Sequence, residues 1–331
     1  LEVINDERKK IRGSGTGLLG GILWGLDTVL VGVILGTTIM NTPQAIAIAP
    51  LVSTFLHDAC SSVWMLLFTA VNRGFGEFKK ALKTRSGKYV MIAALFGGPI
   101  GMTGYMLAIN YIGASYTAVI SAMYPAVGAL FSMIFLKEKM TKMGGVGLSM
   151  AIGATMVLGF TTTDTPKNIW LGILFALLCV FGWGIEVVIC AYGMKNDVLP
   201  ETALQIRQLT SALVYGIMIM PFIKGYPLAF ATLPSPVILL IAVTALAGTS
   251  SYLCYYRSID GIGPIRAMGL NISYSAWAIF IGIFFGNGIS LKALILALVI
   301  ISGSILTTDN PKEFLTLFRF GKKAEKKQPI E

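Results

Sequence analysis

Charge is the scarce ingredient of this sequence. Asp, Glu, Lys and Arg together make up 13% of its 331 residues, about half the share usual in a soluble domain. That shortage excludes a soluble globular fold, because a 55% apolar chain has more apolar surface than such an interior can hide. Histidine is scarcer still, His57 being the only one. One imidazole without a surface thiol pair gives too few ligands for a metal site. The four cysteines, Cys60, Cys179, Cys190 and Cys254, all lie inside apolar runs, where thiols pack as small apolar groups rather than pairing. A Ser/His/Asp triad, a P-loop and a cysteine cluster are all missing. Gly13-Ser14-Gly15-Thr16-Gly17 lacks the Walker lysine, so ATP-driven chemistry is not supported and no cofactor is implied. An enzyme is not expected.

The apolar runs that remain read as an all-α polytopic membrane protein. A bilayer crossing needs about 20 apolar residues, and the chain offers ten spans: 15–37, 45–70, 89–111, 115–136, 143–160, 169–194, 201–222, 236–256, 265–286 and 289–308. The first run is too long for a cleavable leader. Turn chemistry such as Asn41-Thr42-Pro43 and Asn287-Gly288 fills the gaps. Most of the 26 lysines and arginines collect on one side, in the N-terminal arm, after spans 2, 4, 6 and 8, and in the tail. By the positive-inside rule both termini are cytoplasmic. The net charge of +10 is thus a mark of topology, and nucleic acid is not a partner.

The two halves match in order. Leu23-Trp24-Gly25-Leu26-Asp27 of span 1 aligns with Gly182-Trp183-Gly184-Ile185-Glu186 of span 6, and Leu136-Lys137-Glu138 with Phe285-Gly286-Asn287. The register shift between these matches is assigned to a longer loop after span 2. Each half has an odd number of spans, so the halves face opposite ways, the signature of a secondary transporter with a midplane site. The organisation is then a basic arm (1–14), a five-helix repeat (15–160), a linker (161–168), a second five-helix repeat (169–308) and a basic tail (309–331). Gly32–Gly36, Gly97–Gly101 and Gly282–Gly286 have the spacing that lets helices approach closely. Pro99 and Pro125 should bend or break spans 3 and 4.

Glu186 sits in the middle of the apolar run 169–194. A carboxylate at that depth costs on the order of 3 kcal/mol. Trp183, three residues earlier, shares its helical face. An aromatic face beside a buried anion suits an organic cation.

The sequence resembles the drug/metabolite transporter superfamily in its EamA-type ten-helix form. The residues are the paired Trp-Gly motifs, Tyr111-Ile112-Gly113-Ala114-Ser115, Tyr124-Pro125 and Leu136-Lys137-Glu138-Lys139. It is more closely similar to the LicB-type bacterial choline permeases, through Leu56-His57-Asp58, Gly97-Gly98-Pro99-Ile100-Gly101-Met102, Trp183-Gly184-Ile185-Glu186, Ile206-Arg207-Gln208-Leu209-Thr210-Ser211, Ser251-Tyr252-Leu253-Cys254-Tyr255-Tyr256 and Gly269-Leu270-Asn271-Ile272-Ser273-Tyr274. That resemblance implies import of choline or a related quaternary ammonium compound across a bacterial cytoplasmic membrane. Asp27 departs from the pattern by adding a second acid, and Arg257 by adding a charge near the cytoplasmic surface.

A trimethylammonium head cannot donate a hydrogen bond. Its site must combine a fixed anion with ring faces, each worth about 0.5–2 kcal/mol of cation–π attraction. Glu186 is the expected anion. Trp24, Tyr124, Trp183, Tyr274 and Trp277 are the expected cage, with Tyr252 and Tyr255 lining the cavity. Gln208 and Asn271 are possible ligands of a choline hydroxyl. His57 is a proton site or hydroxyl ligand, and Asp27, Asp58 and Arg207 are coupling or gating residues, Arg207 pairing with Asp58, Glu186 or Asp27. Entry by membrane potential, or proton coupling through Glu186 or His57, are both open. So are monomer and homodimer. An exporter of amino acids, metabolites or drugs on the same scaffold is the competing reading.

Overall fold

The computed structural model describes residues 2–160, 166–195, 198–286, 288 and 290–308, with side chains from residue 8 onward. The predicted tail (309–331), most of the linker and Asn287 lie outside these residues. The described residues are helical, without a strand, and eight helical runs are long and apolar enough to cross a membrane by length and composition.

The first half runs α1 (Glu2–Leu35), α2 (Ala49–Val71), a short amphipathic α3 (Phe75–Lys83) and α4 (Arg85–Leu95). A π-helical stretch, Phe96–Met102, joins α4 to α5 (Thr103–Ser121), and α6 (Tyr124–Phe135) and α7 (Lys142–Gly159) follow. The second half runs α8 (Ile169–Met194), α9 (Pro200–Val214), a π-helical stretch at Tyr215–Ile219, a three-residue α10 (Met220–Phe222), α11 (Tyr226–Thr232), α12 (Val237–Ile262), α13 (Pro264–Asn271), α14 (Tyr274–Phe284) and α15 (Leu291–Leu306). Many starts are visible in the sequence. Thr84, Thr141, Asn168 and Ser290 each accept a backbone N–H three residues on, satisfying one orphan donor of the first turn. Prolines open α2, α6, α9 and α13, where their missing N–H costs nothing.

The predicted span 115–136 is not one helix. Gly113 turns the chain at φ 84° inside the run that ends at Ser121, and a fresh helix of 12 residues starts at Tyr124. The second half does the same. Gly263 turns at φ 85°, α13 ends at Asn271, and α14 starts at Tyr274. Only glycine adopts this backbone without strain. The span expected at 289–308 holds a helix of 16 residues.

These shared breaks relocate the register shift. His57 and Arg207, Gly113 and Gly263, and Tyr124 and Tyr274 are each 150 residues apart, whereas Trp24 and Trp183, and Asp27 and Glu186, are 159 apart. The extra length therefore lies between the first two helices of the first half, in the stretch 36–48, and not in the loop after span 2 as expected. Packing follows the same correspondence. α1 lies against α12 and α14, α8 against α5 and α6, α2 against α9, and α7 against α15.

The glycine spacings meet a mixed fate. A Cβ on Gly32 would meet nothing within 4 Å, and one on Gly36 only its own helix, so this pair does not bring helices together. Gly97 and Gly101 lie in the π-helical stretch with Pro99 and serve the site instead.

Candidate functional site

The apolar spans bury three carboxylates, one guanidinium and the imidazole in a single chain of contacts. Arg207 on α9 donates from Nε to Glu186 Oε1 of α8 at 3.0 Å, and from Nη1 to Gln208 Oε1 at 2.8 Å. Its Nη1 also stands 3.8 Å from Asp58 Oδ1 on α2. Asp58 Oδ2 accepts a 2.6 Å hydrogen bond from the Ser211 hydroxyl. His57 Nε2 reaches Asp27 Oδ1 on α1 at 2.9 Å. His57 Nδ1 lies 3.6 Å from Asp58 Oδ1, an electrostatic contact too long for a hydrogen bond.

Helix geometry makes this arrangement. His57 and Asp58 are adjacent, so their side chains diverge by about 100°, and each finds its main partner on a different helix. The two halves use corresponding pairs. The acid of the first helix meets the base of the second, Asp27 with His57 and Glu186 with Arg207. Arg207 therefore takes Glu186 and Asp58 of the partners expected for it, while Asp27 belongs to His57. Glu186, expected to stand ready for a ligand, already holds an internal cation.

Glycines clear the room. A Cβ on Gly97 would coincide with the Glu186 carboxylate, and one on Gly248 would sit 2.7 Å from Asp27 Oδ1 and 2.8 Å from His57 Nε2. The Gly97 carbonyl also accepts the Trp183 Nε1–H at 3.1 Å, so ring and carboxylate of one helical face meet the same residue.

The aromatic residues form two groups. Trp24 stacks on Tyr274 with centroids 4.2 Å apart and approaches Tyr252 at 6.4 Å. Trp183 meets Tyr124 edge-on at 5.7 Å and stacks on Tyr105 at 5.5 Å. Tyr252 ties the first group to the charges. Its ring lies 4.4 Å beneath the Arg207 guanidinium carbon, and its hydroxyl accepts from Nη2 at 3.1 Å. Tyr255 packs in the buried core around Tyr256, and Trp277 is set apart, its ring against Phe280 at 6.1 Å. The Tyr124 hydroxyl, Asn271 Oδ1 and Gln208 Nε2 are buried without a hydrogen-bond partner of normal geometry. Such groups carry unmet polar capacity.

Sequence reasoning missed Ser211, Tyr105, Gly97 as a carboxylate cradle, and Gly248. Only the Gly97-Gly98-Pro99 cluster inside an apolar run signalled an irregular backbone. Ser211→Ala is expected to lower thermal stability by about 1–3 kcal/mol, the cost of leaving a buried acceptor short of its donor; an unchanged melting temperature would show that Asp58 finds water instead.

Comparison with known proteins gives the family. The EamA-like transporter family model matches residues 13–160 and again 170–309. The chain belongs to the EamA-like transporter family. The two matched stretches are the family's two repeats, and the protein is a multi-pass membrane transporter. Within the family's neighbourhood, Protein LicB of Haemophilus influenzae is 30% identical over 301 residues, covering 90% of this chain and 97% of that protein. A solved crystal structure, 17% identical, superposes with a TM-score of 0.68 over 89% of this chain and 96% of that one, and shares the fold.

Proposed function

We propose that this EamA-family protein imports choline or a related quaternary ammonium compound by alternating access between two inverted repeats. The observation that carries this reading is the charge count of the buried network. Asp27, Asp58 and Glu186 face one guanidinium and one imidazole, so with all three acids ionised and His57 protonated the network carries one net negative charge. A monovalent organic cation completes that balance. Rings from Trp24, Tyr124, Trp183, Tyr252 and Tyr274 lie around the same network and supply cation–π faces.

Arg207 gives the site its mechanism. Its guanidinium occupies both features a quaternary ammonium needs, the Glu186 carboxylate and the Tyr252 ring face. The substrate displaces this resident cation from Glu186, and Arg207 falls back on Asp58 and Gln208. The displaced pair on α8 and α9 biases the packing of one repeat against the other, which exposes the site alternately. The basic end of the bundle is cytoplasmic by the positive-inside rule. The membrane potential then favours inward movement by about 2.3 kcal/mol per charge per 100 mV. His57, held between Asp27 and Asp58, is the group placed to add a proton to the cycle.

The test is a thermal-shift panel of the purified protein with choline, its demethylated and oxidised analogues, betaine, amino acids and aromatic cations, followed by flux into proteoliposomes. A bound ligand stabilises according to its concentration relative to Kd. Choline should rank above betaine and all the amino acids. A ranking led by zwitterions would replace this reading with an exporter or metabolite carrier.

A further inference from the structure

A cavity of about 430 Å³ lies away from the carboxylate network, at the basic end of the bundle. Its walls come from the end of α6 and the turn beyond it, the end of α8, and the turn joining α12 to α13. Met194 on its wall is eight residues past Glu186 on the same helix, roughly 12 Å along the axis at 1.5 Å per residue. The buried Cys190, Tyr255 and Tyr256 belong to the packed core cluster of the same helices.

The cavity is cationic. Lys139, Lys195 and Arg266 line it together with Glu138 and Asp260. Both carboxylates are already engaged. Glu138 Oε2 accepts the Ile265 N–H at 3.2 Å at the start of α13. Asp260 pairs with Lys9 at 3.1 Å, which brings a further positive charge to the rim. The fold builds this wall deliberately: Lys137 takes a left-handed φ of 55°, and that turn sends Glu138 back toward the α12–α13 turn. The remaining lining, Leu136, Met194, Ile259 and Ile262, is apolar. On the same two helices, Phe131 touches Phe135 at 5.9 Å and Phe181 at 6.2 Å, and Phe135 and Phe181 are exposed.

We infer that this cavity binds a phosphate group, with the headgroup of an anionic phospholipid as its source. Basic pockets between membrane helices on the cytoplasmic side take such headgroups. The lysines supply the charge, and the exposed phenylalanines of α6 and α8 give the acyl chains a surface. The lining's excess of positive charge suits an anion rather than the cation of the central site. Because it borders Gly263, the hinge before the helices that carry Asn271 and Tyr274, an occupant there would stiffen one repeat.

The test uses the full chain in mild detergent, titrated with phosphatidylglycerol, phosphatidylethanolamine or inorganic phosphate, with melting temperature as readout. Phosphatidylglycerol should stabilise the protein, phosphatidylethanolamine should not, and the shift should at least halve in K139A/K195A. Equal stabilisation by inorganic phosphate, lost in the same variant, would keep the phosphate site and overturn the lipid source. A phosphatidylglycerol shift that is absent, or unchanged in the variant, overturns the site. K139Q and K195Q singly, both at exposed side chains, carry the same contrast if the double variant does not fold. The readout does not involve choline, so failure here and failure of the proposed transport activity are distinguishable.

Discussion

Glu186→Gln is expected to eliminate the stabilisation of this protein by choline. Removing one member of a desolvated charge pair costs about 2–5 kcal/mol of binding, roughly thirtyfold or more in Kd. The variant keeps the shape of the side chain and its place against Gly97, so the loss reports charge rather than packing. The unliganded protein should also melt earlier, because Arg207 loses its hydrogen-bonded carboxylate and keeps Asp58 at 3.8 Å, Gln208 at 2.8 Å and the Tyr252 hydroxyl at 3.1 Å, and a buried charge stripped of its partner costs about 3–5 kcal/mol. The two effects separate in E186Q/R207Q. That double variant removes the orphaned guanidinium and should recover part of the stability without recovering choline binding. Wild-type affinity in E186Q would remove Glu186 from the site and, with it, the exchange between Arg207 and substrate.

Gly97→Ala should be nearly as damaging, although it changes no charge. Its Cβ would overlap the Glu186 carboxylate, and the Gly97 carbonyl holds the Trp183 indole. Overpacking at a tight position costs about 1–3 kcal/mol, and here the displaced atoms are the site's anion and one of its rings. Choline binding should fall with it. Gly32→Ala is the control. The added methyl meets nothing within 4 Å, and replacing glycine in a helix typically stabilises by about 0.4–1 kcal/mol. If G97A binds choline as wild type does and melts no earlier, Glu186 is not held against the π-helical stretch.

The contrast between Gly97 and Gly32 shows where the sequence stops informing. Both belong to four-residue glycine pairs inside apolar runs, and spacing alone cannot tell them apart. One faces a carboxylate from another helix and the other faces open space, a difference that exists only after the helices pack. The same holds for Arg207. Its depth in an apolar run required a partner, but three acids were available, and the choice of Glu186 and Asp58 follows from the rotation of α8, α9 and α2 about their axes. A rotation of one residue's 100° would exchange the partners, and hydrophobic content does not fix it to that accuracy.

What the sequence determined by itself rests on terms that add up locally. Apolar run length against bilayer thickness set the membrane class. The sorting of lysine and arginine set the expected orientation, because charge is costly to carry across hydrocarbon. The pairing of Trp24 with Trp183 and of Asp27 with Glu186 marked the repeat and named the first helix of each half. Tertiary structure alone decided the second acid–base correspondence, His57 with Arg207, and it put the length difference between the halves in the stretch 36–48. It also decided that Glu186 carries a resident cation, since the distance from a carboxylate to its counter-charge is set by how α8, α9 and α2 pack and turn their side chains toward one another.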